Sequence, residues 1–324
     1  MSFLKVSDLK VEFQVDKKTI TPIENISFEM NEGEVLGMVG ETGSGKSLTA
    51  HAIIGLSSLV GGKIGGRILF DNQDLLMLSE KNMQSIRGSQ IAFIPQNPMT
   101  SLDPVYKVGD QIVEGLYKHT KINKRKAKQQ VIELMGSLRI PKPESVFQQY
   151  PHQLSGGLKQ RIVIAMGLCN NPRLLIADEP TTALDVTVQA QIMRLFKEMA
   201  LERGIGLFLI THDLGVIAQV CDKVVVMYAG NMVESGDIET VFNTPKHPYT
   251  KALLGCIPHL GMKQGTLSAI DGNVPSVGTY PSGCRYHPRS MHSFSPCQNN
   301  IPELMQIESG NRVACHLFQE KNDC

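Results

Sequence analysis

The feature that most constrains this 324-residue chain lies near its start, in Gly40-Glu41-Thr42-Gly43-Ser44-Gly45-Lys46-Ser47. An apolar run, Val35-Leu36-Gly37-Met38-Val39, precedes it, and an apolar-faced segment begins at Leu48. The pattern G-x-x-x-x-G-K-[ST] between a strand and a helix makes a phosphate cradle. Its glycines let backbone N–H groups converge on phosphate oxygens, and the helix N-terminus adds the positive end of its dipole. In such a cradle Lys46 bridges the β- and γ-phosphates and the Ser47 hydroxyl ligates Mg²⁺.

The remaining texture predicts an α/β protein. Leu4–Phe13 and Ile26–Met30 look like strands. Strand-like runs return at Leu174–Ala177, Leu207–Thr211 and Val224–Tyr228, each followed by a helix or turn. Between about Gln96 and Arg161 the pattern is helical, with Ala127, Val131, Leu134, Met135 and Leu138 on one face. Val188, Ile192, Leu195, Phe196 and Met199 repeat that spacing after Asp185. Strand and helix in alternation predict a mostly parallel sheet, here with a helical insertion.

Charge and hydropathy narrow the class. Lys+Arg is 32 and Asp+Glu 31, so bulk charge does not hold the chain to nucleic acid or lipid. The basic cluster Lys121, Lys124, Arg125, Lys126 and Lys128 lacks interleaved aromatics and reads as a solvated helix face. No uncharged apolar run approaches the ~18–20 residues of a membrane helix, and the N-terminus lacks a signal-peptide pattern. A cytosolic protein is expected, reaching any membrane through other proteins. Four of seven cysteines (Cys284, Cys297, Cys315 and Cys324) crowd the tail, apart from Cys169, Cys221 and Cys256, which marks the tail as a separate module.

A second motif completes the phosphate chemistry. Leu174-Leu175-Ile176-Ala177 ends in Asp178-Glu179, a buried strand delivering two carboxylates. Asp178 suits the Mg²⁺ shell. Glu179 suits the general base that polarises an attacking water.

With these in place the chain resembles the ATP-binding cassette ATPases. Leu154-Ser155-Gly156-Gly157-Leu158-Lys159-Gln160-Arg161 is similar to the family signature. Gln96 resembles the glutamine loop, Ala183-Leu184-Asp185 the D-loop, and His212 the switch histidine. The resemblance implies a P-loop NTPase (RecA-like) cassette over 1–235 with a helical subdomain at about 97–165, and a small C-terminal extension over 236–324. ATP and Mg²⁺ are the implied cofactors, bound by Gly40, Glu41, Thr42, Gly43, Ser44, Gly45, Lys46, Ser47, Leu48, Gln96 and Asp178. Two cassettes would pack head to tail, with Ser155, Gly156, Gly157 and Asp185 meeting the partner's nucleotide. Glu179, His212, Gln96 and Lys46 are the implied catalytic set. The family's adenine-stacking aromatic is missing near Lys17 and Lys18, and Phe13 is the expected substitute.

The resemblance narrows to peptide-importer ATPases. Asn97-Pro98-Met99-Thr100-Ser101-Leu102-Asp103-Pro104, Gly109-Asp110-Gln111-Ile112 and Glu114 look like the stretch that docks on membrane subunits. Ala177 to Gln191, His247 to Leu254 and Pro281 to Arg289 also resemble that subfamily, and Leu158 suggests its D-type subunit. The implied partners are an F-type ABC ATPase, two transmembrane permeases and an extracellular or periplasmic substrate-binding protein, at the cytoplasmic face of the membrane. Nickel or a metal-chelator complex is the alternative cargo, and a soluble ABC ATPase of translation or DNA maintenance the alternative class. Members often carry four tail cysteines. Cys284, Cys297 and Cys315 match three, and Ser290 takes the place of one. Two readings stay open there: an iron–sulfur cluster or Zn²⁺, with His287, His292 or His316 completing the site, or three free thiols.

Overall fold

A computed structural model of the chain describes residues 2–182, 184–257, 270–308 and 310–319. Its strands in chain order are β1 (Leu4–Val15), β2 (Lys18–Met30), β3 (Val35–Val39), β4 (Lys63–Phe70), β5 (Gln73–Asp74) and β6 (Ile91–Ile94). β7 (Leu174–Asp178), β8 (Gly206–Ile210), β9 (Lys223–Tyr228), β10 (Asn231–Asp237), β11 (Met305–Glu308) and β12 (Asn311–Val313) follow. Two compact units form, one of residues 1–31, 35–77 and 210–324, the other of 32–34 and 78–209.

The first unit holds an antiparallel sheet, β2-β1-β4-β5, and a mixed one, β11-β12-β10-β9-β3, in which β3 runs parallel to β9. In β1 the buried residues change parity, from Leu4 and Val6 to Leu9 and Val11. A bulge at Asp8, where φ is +48°, makes that switch, and the Asp8 N–H donates to Ser27 Oγ at 2.8 Å. β1 turns into β2 through Asp16-Lys17, both at positive φ, a two-residue hairpin turn without glycine. That unmarked turn is why β2 begins eight residues before the expected Ile26.

β3 is buried along its whole length, as expected of a strand covered on both faces. It delivers the phosphate loop, and the helix Lys46–Ile53 follows. The tail, where sequence periodicity fades, is also ordered in its described parts. It contributes the helices Ile238–Asn243 and Pro248–Gly255, a short turn at His287–Arg289, and the β11–β12 hairpin.

The second unit carries β8-β7-β6, with β6 and β7 parallel, and helices that include Val108–His119, Lys124–Ser137, Gly156–Leu168 and Val186–Arg203. Ala127, Val131, Met135 and Leu138 are buried as the periodicity predicts, and Leu134 is half-buried. Lys121, Lys124, Arg125, Lys126 and Lys128 are exposed. Among the described residues no helix is long and apolar enough to cross a membrane.

One buried imidazole makes folding sensitive to pH. His247 is fully buried, its backbone N–H donates to the buried Glu234 carboxylate at 2.9 Å, and its ring Nδ1 accepts the Tyr249 backbone N–H at 3.0 Å. Burial pushes the imidazole down to about 3. The unfolded chain therefore binds a proton that the folded chain refuses, so this stabilisation is lost as pH falls from about 6.5 toward 3. Urea unfolding at pH 7 and pH 5 checks this. The wild type should lose about 2 kcal/mol more over that interval than His247→Gln.

Candidate active site

Within the first unit the phosphate loop is pinned from several sides. Lys46 is buried, and its Nζ donates to the Gly40 carbonyl at 2.7 Å, the Glu41 carbonyl at 3.1 Å and Ser44 Oγ at 3.4 Å. Gly45 sits at φ +100° as the helix N-cap, and a Cβ there would lie 2.6 Å from the Ile23 side chain. At Gly40 a Cβ would strike the Met227 carbonyl. Neither position accepts a side chain, which is the physical content of the two framing glycines in the motif. The Gly230 N–H, from the turn between β9 and β10, donates to the Ser44 carbonyl at 2.9 Å.

Around this loop, Thr42 and Gly43 are exposed, while Ser47 and Leu48 are half-buried on the first helical turn. His212 is exposed just beyond β8. The neighbouring Thr211 N–H donates to the Met38 carbonyl at 3.2 Å, so the His212 loop runs beside the strand that delivers the cradle. Phe13 lies in β1 with its ring 3.0 Å from where a Gly62 Cβ would be.

Two residues that sequence reasoning missed reach the loop from the tail. The Tyr249 hydroxyl accepts the Glu41 N–H at 2.9 Å, and Arg289 donates to the Glu41 carboxylate at 3.0 to 3.3 Å. Both lie in motifs quoted for their resemblance. Nothing in their spacing links them to residue 41.

In the second unit β7 ends as expected, with Asp178 buried at 4% exposure. Glu179 leaves the strand in the left-handed region, φ +45°, a conformation that costs a non-glycine residue energy and sets the carboxylate off the strand line. Its Oε2 accepts hydrogen bonds from Gln96 Nε2 and Thr182 Oγ1, each at 2.8 Å. Gln96 and Glu179, 83 residues apart, are thus joined directly. Thr182 is a further missed residue, and its place three residues after Glu179 is the signal that could have found it.

Ser155 caps the helix Gly156–Leu168, its Oγ accepting the Leu158 N–H at 3.4 Å. Asp185 caps the helix Val186–Arg203 in the same way, through the Val188 N–H at 2.9 Å. Ser155, Gly156, Gly157 and Asp185 line one open groove of about 440 Å³, which Arg139 and Arg161 also face. A helix N-terminus beside two guanidinium groups suits an anion. Ala183, within the expected D-loop, lies outside the described residues.

The metal site expected in the tail finds no support in the arrangement of its side chains. Among the described residues no group of three His, Cys, Asp or Glu side chains is arranged to hold a metal ion. Cys297 and Cys315 are buried, and burial pushes the Cys284 thiol up and the Cys315 thiol up to about 11. The imidazoles do not complete a set. His287 Nδ1 pairs with the Cys284 carbonyl and His316 Nε2 with the Asn300 carbonyl, while His292 is exposed. Ser290, in the place of the fourth thiol, accepts the His292 N–H at 3.2 Å. The Cys284 N–H donates to the Cys297 carbonyl at 2.9 Å, and Cys324 lies outside the described residues.

Comparison with known proteins agrees with this geometry. The ABC transporter family model matches residues 23–182, and the model of the oligopeptide/dipeptide transporter C-terminal region matches residues 233–297. The chain is 42% identical over 321 residues to the oligopeptide transport ATP-binding protein AppD of Bacillus subtilis, covering 99% of this chain and 98% of the relative. It is 43% identical over 316 residues to the dipeptide transport ATP-binding protein DppD of Escherichia coli, covering 98% and 97%. Among solved structures, the ATP-binding cassette MJ0796 bound to ADP and Pi is 26% identical with a TM-score of 0.65, covering 72% of this chain and 98% of that one. The cbiO1 protein of Clostridium perfringens is 30% identical with a TM-score of 0.63, covering 75% and 91%. The fold and its loop are those of an ATP-binding cassette ATPase. The chain belongs to the ABC transporter family, in the branch that carries the oligopeptide/dipeptide transporter C-terminal region.

The state of the thiols is directly measurable. With thiols near 11, Cys169 and Cys315 expose about a thousandth as thiolate at pH 8, against roughly a quarter for an ordinary cysteine. In native protein treated briefly with iodoacetamide at pH 8, both should stay unmodified by mass spectrometry, and both should react in urea.

Proposed function

We propose that this chain is the ATP-hydrolysing subunit of an ABC importer that carries di- and oligopeptides across the cytoplasmic membrane. The observation that carries the reading is the joint match, in one chain, of the cassette and the peptide-transporter C-terminal region to relatives of the same length. We divide the chain into a cassette over 1–235, with its helical subdomain at about 97–165, and an extension over 236–324, a reading in keeping with the family matches at 23–182 and 233–297.

The residues divide the chemistry among them. The cradle amides and Lys46 hold the phosphates, and Ser47, Asp178 and Gln96 would hold Mg²⁺, which neutralises charge developing on the β- and γ-oxygens. Ser47 and Asp178 are hard oxygen donors, and Asp178 is a buried carboxylate, the kind of group that suits this ion. Glu179 takes the proton of the attacking water, with Gln96 and Thr182 fixing its carboxylate. His212 meets the γ-phosphate. Ser155, Gly156, Gly157 and Asp185 meet the nucleotide held by a second, F-type cassette in a head-to-tail pair. Met99, Val105 and Tyr106 are at least 59% exposed, apolar surface in and next to the stretch expected to dock on two permeases. A substrate-binding protein outside the membrane would deliver the peptide, so the chain works as a peripheral subunit at the cytoplasmic face.

Two experiments test this. Glu179→Gln should cut phosphate release by a factor of about 10² to 10⁴ while ATP titration still reports binding; substantial residual turnover removes Glu179 as the base. Affinity purification of the tagged chain in mild detergent should bring down two polytopic membrane proteins and a second cassette. Ribosomal or DNA-repair partners without membrane protein would overturn the transport reading.

A further inference from the structure

The tail segment Cys284-Arg285-Tyr286-His287-Pro288-Arg289 reaches the phosphate loop directly through Arg289, and through Arg285 holds the neighbouring Ala229-Gly230 turn. The Arg289 side chain is 6% exposed, and each of its five N–H groups meets an acceptor. Nε donates to the Asp271 carbonyl at 2.8 Å. Nη1 donates to Glu41 Oε1 at 3.0 Å and to the Tyr228 hydroxyl at 3.3 Å. Nη2 donates to Glu41 Oε2 at 3.2 Å and to the Ile270 carbonyl at 3.2 Å. The guanidinium is held by tail carbonyls on one side and spends its fork on the second residue of the loop. Four residues earlier, Arg285 donates to the Ala229 carbonyl at 2.6 Å and to Glu24 at 2.9 Å. That fixes the turn whose Gly230 N–H holds the Ser44 carbonyl.

Beneath them Tyr228, Tyr249 and Tyr286 form a buried aromatic cluster with ring centres 4.7 to 5.3 Å apart, and Tyr249 takes the Glu41 N–H. Glu41 places a carboxylate on the loop that must receive the triphosphate. Its backbone carbonyl is 3.1 Å from Lys46 Nζ. Left unpaired, that charge would oppose the phosphates from within a Debye length, about 10 Å.

We propose that Arg289 is a positioning residue of the ATP site. By neutralising Glu41 and anchoring it to the tail, it makes the C-terminal extension a determinant of ATP affinity. The inference rests on the reading of Gly40–Ser47 as the ATP loop.

The test is the ATP dissociation constant of the full chain, with apo-state thermal unfolding followed alongside. Arg289→Gln should weaken ATP binding about tenfold, and Arg289→Lys, which keeps the charge and loses the fork, about threefold. Adding Glu41→Gln to Arg289→Gln should bring affinity back to within about threefold of wild type, because the opposing charge is gone. A brace of purely structural value predicts the reverse, with the double variant binding as weakly as Arg289→Gln and unfolding no later. That result overturns the proposal, as does wild-type affinity in Arg289→Gln. If Arg289→Gln does not fold, wild-type affinity in Arg289→Lys overturns it and the threefold loss supports it. Lys46→Ala guards the premise: if it binds ATP like wild type, the loop reading fails, whatever Arg289 does.

Discussion

A buried lysine ammonium held across a turn of glycines is the constraint around which the first unit is arranged. Lys46 cannot be left unpartnered in a site 5% exposed, so the loop must turn carbonyls toward it while keeping its amides available for phosphate. That geometry leaves no room for side chains at Gly40 or Gly45. It also needs a rigid floor, supplied by β3, by the Met227 carbonyl and by the Ala229-Gly230 turn. The Met227 carbonyl and the Ala229-Gly230 turn lie far along the chain from residue 46, so the loop takes its shape from tertiary structure and not from its own eight residues.

The second unit solves a different problem. For Glu179 to serve as the proposed general base its carboxylate needs one orientation, yet a strand end leaves a glutamate free to rotate. The backbone at Glu179 turns into a left-handed conformation, and Gln96 and Thr182 hold one carboxylate oxygen. Because Gln96 follows β6 directly, any movement of that segment is felt at the carboxylate through a single hydrogen bond. This is the local, two-position type of element on which nucleotide switches are built.

Much of this was legible in the sequence, and the limits have physical causes. The apolar run into Gly40–Ser47, the buried strand ending in Asp178-Glu179, and the helical faces over 124–137 and 186–203 all announce themselves through period and motif, because local burial sets both. The expected start of β2 was late because Asp16-Lys17 adopts a glycine-type turn without glycine. Tail structure was illegible because its short elements are held by contacts to distant strands, such as β10 pairing with β12, and carry no period of their own. The tail cysteines are read as ligands through the family resemblance alone, and among the described residues no three His, Cys, Asp or Glu side chains are arranged to hold a metal ion. Arg289 and Tyr249 could not be tied to Glu41 by any rule of spacing.

The pairing of Glu41 with Arg289 spans 248 residues, and it sets an order of events during synthesis. At about 5–20 residues per second, the phosphate loop leaves the ribosome some tens of seconds before its partner exists. A chain stopped short of residue 289 would already possess every residue of the cradle, yet carry an unmatched carboxylate on it. The nascent protein would thus acquire its finished loop only near the end of translation, when the tail arrives to close it.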